Sequence, residues 1–137
     1  MHNSETYRDK KLSRLSPQES VQAVEVGVKP MAFLKEKIGT SLPCLEFETY
    51  MISSDEGATI TKIFKEKNYV YYRTGQELNA KRIRELVIQM TNEQLGNLKV
   101  GDTYINKPPS DEYHRELGEL LGYSAEEIKE FIDTIHR

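Results

Sequence analysis

CLEFETYMISSDEGATITKIFKEKNYVYYR, residues 44–73, is the stretch that decides the fold class. Leu45, Phe47, Thr49 and Met51 alternate with Glu46, Glu48, Tyr50 and Ile52. A period of two over that length is the mark of a strand, here with one polar-leaning face at its start. Ser53-Ser54-Asp55-Glu56-Gly57 reads as a turn. Two further strand-forming runs follow, ATITKIF (58–64) and NYVYYR (68–73), separated by the charged Lys65-Glu66-Lys67, which reads as a solvated hairpin turn. The pattern predicts an antiparallel β-meander across 44–73.

The flanks read as helices. Ser16-Pro17-Gln18-Glu19 combines an N-cap Ser, Pro at the first helical position and Glu at the third, a capping box. That helix is expected to run to Val26 and stop at Gly27. Pro30 is expected to open a second short helix, MAFLKEKI, closed by Gly39. Thr74-Gly75-Gln76-Glu77 is a second box, and the helix behind it puts Leu78, Ile83, Leu86, Val87 and Met90 on one face. Thr91-Asn92-Glu93-Gln94 is a third box, predicting a separate short helix to about Gly96. Thr103-Tyr104-Ile105 suggests a short strand, and Lys107-Pro108-Pro109 a stiff connector. Ser110 caps a helix carrying Tyr113, Leu117, Leu120 and Leu121, with Gly122 as its stop. Ser124-Ala125-Glu126-Glu127 then opens a helix carrying Ile128, Phe131, Ile132 and Ile135.

Together these elements predict an α+β fold. A small antiparallel sheet (about 44–73, plus a strand near 103–105) packs with several helices and ends in a C-terminal helix–turn–helix hairpin. Residues 1–15 read as a flexible polar tail and 16–137 as a single domain.

The chain has 137 residues, with 19 basic and 22 acidic side chains, a net charge of −3. General nucleic-acid binding, which favours a basic excess, is not expected. Residues 1–40 carry seven basic and five acidic side chains, and residues 108–137 carry three and eight. Such asymmetry permits docking between copies, as a homo-oligomer, or docking of the two ends within one chain. Cys44 is the single cysteine, so no intramolecular disulfide forms and no cysteine-based zinc site exists. It reads as a small core residue, since no basic neighbour in sequence activates it. No apolar run approaches the ~18 residues of a membrane span, and the N-terminus lacks a signal pattern. The expected location is cytoplasmic.

Candidate chemistry is sparse. Tyr69 and Tyr71 share a strand face near Lys62, Lys65 and Lys67, and an exposed tyrosine pair beside lysines can stack bases. Arg73, Thr74 and Gly75 precede a helix N-terminus, where free N–H groups hold anions. Lys81, Arg82 and Arg84 follow, although they point to different sides of that helix. These residues define a candidate ligand site, Tyr69, Tyr71, Arg73, Thr74, Lys81, Arg82 and Arg84, for a small anionic ligand such as a nucleotide. No glycine-rich phosphate loop is present, and no cofactor or metal is expected. Asp111, Glu112 and His114 offer the one acid–base cluster, Glu112/His114 being the candidate pair if the chain is an enzyme. Acids in a first helical turn also simply favour the helix dipole, and the reading leans away from catalysis. The acidic surface Glu116, Glu119, Glu126, Glu127, Glu130 and Asp133 offers a third possibility, a basic protein partner.

The segment His114-Arg115-Glu116-Leu117-Gly118-Glu119-Leu120-Leu121-Gly122-Tyr123, leading to Phe131, resembles small bacterial and bacteriophage proteins with a His-x-x-x-Gly-x-x-Leu-Gly-Tyr segment before an acidic helix. The resemblance covers about 20 residues and brings no activity with it. It implies a binder or inhibitor of a host factor, or a protein that sequesters a nucleotide signal. Physically, Gly118 permits close helix packing, Gly122 stops the helix and Tyr123 folds over the corner.

Overall fold

The computed structural model describes residues 14–54, 61–96 and 109–136. The elements are α1 (Pro17–Glu25), β1 (Met31–Leu34), β2 (Cys44–Ser54), β3 (Thr61–Tyr72), α2 (Glu77–Gly96), α3 (Asp111–Leu120) and α4 (Ala125–Ile135). The expected strand at 103–105 and most of the 1–15 tail lie outside the described residues. The three strands form one antiparallel sheet in the order β1-β3-β2, so the fold is α+β as expected.

The helix starts follow the local code. Ser16 forms the full capping box with Glu19. The Ser110 hydroxyl accepts from the Tyr113 N–H, and Ser124 from that of Glu127. Each bond satisfies a donor that the first turn would otherwise leave orphaned.

Three local expectations are corrected. MAFLKEKI does not form a helix: Met31–Leu34 is β1, paired with Tyr72–Tyr69 of β3. Met31 and Ala32 are both buried, which a strand achieves only when both of its faces are covered. Pairing to β3 overrides the helical propensity of Met31, Ala32 and Leu34, since tertiary context outweighs propensity in so short a segment. Lys65-Glu66-Lys67 is not a turn but lies inside the twelve-residue β3. Its charges are accommodated there because they find partners: Lys67 pairs with Glu46 at 3.7 Å, Lys35 with Glu66 at 3.6 Å, and Lys65 sits 5.7 Å from the Tyr50 ring. Thr91 opens no new helix. Its hydroxyl donates back to the Ile88 carbonyl at 3.0 Å, and α2 continues through it to Gly96.

Each face of the sheet has its own core. Val70 lies with Met31, Phe47, Ala80, Ile83, Val87 and Leu121, beneath α2 and the α3–α4 hairpin. Tyr69 and Tyr71 lie on the opposite face with Val21 of α1, flanked by Leu34, Ile38 and Leu42. The alternation of side chains along β3 makes that separation. Asn68, fully buried, is a polar hub within the sheet: its amide donates to Thr49 Oγ1 at 2.9 Å and to the Phe47 carbonyl at 3.3 Å, and accepts from Lys35.

The C-terminal hairpin is as tight as its glycines suggest. A Cβ on Gly118 would lie 2.7 Å from Ile128 Cγ1, so α3 and α4 touch there at backbone distance. At Gly122 the backbone has φ +87°, and a Cβ would meet Pro30 Cδ at 2.5 Å. The corner between α3 and α4 therefore docks on the turn between α1 and β1.

Candidate functional site

The seven residues expected to hold an anion lie in different surroundings. Tyr69 and Tyr71 are buried (8% and 2% exposed), their rings 6.5 Å apart, in the α1-side core. The Tyr71 hydroxyl is itself used, accepting the Ile38 N–H at 2.7 Å. No base could stack on either ring without displacing α1 or the 38–42 segment. Arg73 is exposed and lies against Gly27, just past the end of α1, where a cation suits the negative end of the helix dipole. Thr74 and Lys81 are exposed and Arg84 is half-buried.

The start of α2 is already supplied with a carboxylate. Thr74 does not cap it; the helix begins at Glu77, whose Oε1 accepts the Gly75 N–H at 3.1 Å. Backbone N–H groups of Glu77 and Gly75 hold this carboxyl below its usual range. An anionic ligand at this helix terminus would have to displace Glu77. Arg82 is likewise engaged: its guanidinium makes a two-pronged contact with Glu116 of α3, Nη2 donating at 2.9 Å, and a 3.3 Å bridge to Glu85. The arginine holds the Glu116 carboxyl below its ordinary value through these hydrogen bonds.

That ion pair borders a cleft between α2 and α3. The cleft has a volume of about 340 Å³ and is lined by Leu86, Met90, Pro109 and Tyr113, with Glu93, Glu112 and Glu116 among its polar groups. Its size lies within the usual range for ligand pockets. Burial pushes the Tyr113 hydroxyl up to about 12, so it stays protonated as a donor. Among the described residues that line the cleft, Arg82 is the single arginine, already paired, against three carboxylates. The charge therefore suits a cation, the reverse of the expected ligand. The signal for this cleft was present in the apolar stripes: Leu86 and Met90 on one helix and Tyr113 on the next are its walls.

Glu112 and His114 make no hydrogen bond with each other. His114 is half-buried, edge-on to Tyr113 and to Phe131 at 5.3 and 5.1 Å between centroids. Burial lowers its pKa, with Asp111 opposing. Asp111 Oδ1 instead lies 2.9 Å from His136 Nε2. Among the described residues no group of three or more His, Cys, Asp and Glu side chains converges as a metal site would. Cys44 is exposed rather than in the core, at the start of the outer strand β2. Although the residue is exposed, partial desolvation of its thiol, reinforced by Glu46, pushes it up despite the opposing Tyr71 hydrogen bond.

Sequence reasoning missed Lys29. It is 2% exposed, and its ammonium lies 4.9 Å from the Tyr123 ring, where the α3–α4 corner covers the α1–β1 turn. Nothing local in Val28-Lys29-Pro30 marks it; burial comes from a corner almost a hundred residues away. Desolvation lowers its pKa to about 8, partly offset by Glu127. Because the folded value is depressed, between about 8 and 10.5 the unfolded chain binds more protons, and stability must rise with pH across that window. The rise is expected to be about 1–3 kcal/mol. Lys29→Met removes it, which urea denaturation from pH 7 to 9.5 would show. A flat wild-type profile would mean that the ammonium is not desolvated. Above about 10 the effect is opposed, since burial also raises Tyr71, Tyr113 and Tyr123.

Among the described residues no helix is long and apolar enough to cross a membrane. No protein-family model, no curated protein and no solved structure matches the chain.

Proposed function

We propose that this protein is a non-enzymatic binding module whose α2–α3 cleft receives a basic, amphipathic group from a partner. The observation that carries this reading is the cleft's combination of apolar walls (Leu86, Met90, Tyr113) with Glu93, Glu112 and Glu116 in the same lining. The side chain of an arginine or lysine on a partner protein has the matching form, an aliphatic stem and a cationic head. The acidic surface of α3 and α4 favours approach of such a partner. The resemblance of residues 114–131 to bacteriophage proteins makes a host protein the partner to seek.

A small anionic ligand held by Arg73, Thr74, Lys81 and Arg84 is the competing reading. Its support is thinner, since Tyr69 and Tyr71 are buried and Glu77 occupies the helix start.

Titration of isotope-labelled protein with butylguanidinium, and separately with adenosine monophosphate, distinguishes the two by NMR. Butylguanidinium is expected to shift the resonances of Leu86, Gln89, Met90 and Tyr113. Glu112→Lys should weaken that binding about tenfold, the usual scale of one charge-assisted contact. Shifts confined to Arg73, Thr74 and Lys81 on adding the nucleotide, with none in the cleft, would replace this reading by the anionic one.

A further inference from the structure

The order β1-β3-β2 leaves β2 outermost, and among the described residues nothing pairs with its outer edge. Its pairing with β3 runs without interruption from Cys44↔Tyr71 to Ser54↔Thr61, so no bulge turns the edge away. The eleven residues span roughly 36 Å at about 3.3 Å each. They include neither Pro nor Lys, which edge strands commonly use to block further pairing. Glu46 and Glu48 are the strand's charged residues.

We propose that the chain forms a homodimer in which β2 pairs antiparallel with β2 of a second copy, about a two-fold axis at Thr49. The register of that pairing follows from the charges. A two-fold axis normal to the sheet sets residues of the same face opposite each other. A register centred on Phe47 would oppose Glu46 and Glu48, and one centred on Glu48 would oppose that residue to itself, both unfavourable. The register centred on Thr49 overlaps all eleven residues and opposes no acid to an acid. It sets Glu48 across from Tyr50, which is 49% exposed, and Glu46 across from position 52. A second observation agrees: α2 packs against β2, so the pairing brings the two α2 helices side by side. The flank they would share, opposite Leu86 and Met90, carries the half-buried Arg84, Ile88 and Leu95.

Sedimentation equilibrium of the full chain, over a wide concentration series at neutral pH, tests the pairing and its register together. The wild type is expected to approach twice the 15.9 kDa chain mass. Tyr50→Glu sets acids opposite each other on both sides of the axis and should yield the single-chain mass. Tyr50→Lys sets each introduced lysine across from Glu48 and should tighten the dimer roughly two- to thirty-fold. Adding Glu48→Lys to Tyr50→Glu exchanges the charges and should restore the dimer, which also shows that the Tyr50→Glu chain can fold. A wild type that stays at 15.9 kDa throughout overturns the proposal. So does a dimer that both Tyr50 substitutions weaken alike, as loss of the ring's contact with Lys65 would do, or one that neither affects.

Discussion

Gly122→Val is expected to lower the unfolding free energy by about 2–5 kcal/mol, a large part of the 5–15 kcal/mol that holds a domain of this kind together. Two independent costs add at this position. A side chain at φ +87° occupies the left-handed region, unfavourable by about 1–2 kcal/mol. Its Cβ also meets Pro30 Cδ at 2.5 Å, and overpacking of that sort costs about 1–3 kcal/mol. Other glycines separate the two. Gly75→Ala has the strain (φ +99°) but no atom within 4 Å, so about 1–2 kcal/mol is expected. Gly118→Ala has the close contact with Ile128 and should cost about 1–3 kcal/mol. Gly39→Ala has neither and should gain up to about 1 kcal/mol. Urea denaturation of the four variants gives the order directly, provided the denaturant slope is unchanged. If Gly122→Val costs no more than Gly75→Ala, the corner does not press on the α1–β1 turn as described.

Asn68→Leu is the second large effect, expected at about 2–4 kcal/mol. The leucine fits the volume but cannot bond. Thr49, 4% exposed, would lose the donor to its hydroxyl, and Lys35 its amide acceptor. A buried polar group left without a partner costs about 1–3 kcal/mol, more than the bond contributed when made. The same reasoning predicts partial rescue. Thr49→Val in the Asn68→Leu background removes the stranded hydroxyl, and the pair should recover at least about 1 kcal/mol relative to additivity. Strictly additive losses would show that the two side chains do not depend on each other.

What the sequence determined alone is the local part of this protein. Capping at Ser16, Ser110 and Ser124 and the stop at Gly122 were all legible, because each rests on residues within a few positions along the chain. The α+β class was legible too, since the period-two run at 44–52 cannot bury its apolar set as a helix. What only the tertiary structure decided depends on which surfaces meet. Met31–Leu34 became a strand because the second edge of β3 was there to pair with it. Lys65-Glu66-Lys67 stayed within a strand because Glu46, Tyr50 and Lys35 met their charges. The tyrosines that looked like a stacking platform became core when α1 packed over their face, a choice that alternation along β3 leaves open. Arg82 looked free until α3 brought Glu116 to it across 34 residues, and Lys29, which no local pattern marks, is covered by the hairpin corner. Charge and burial at a candidate site are sums over neighbours distant in sequence, whereas helix caps, stops and periodicity are properties of adjacent residues.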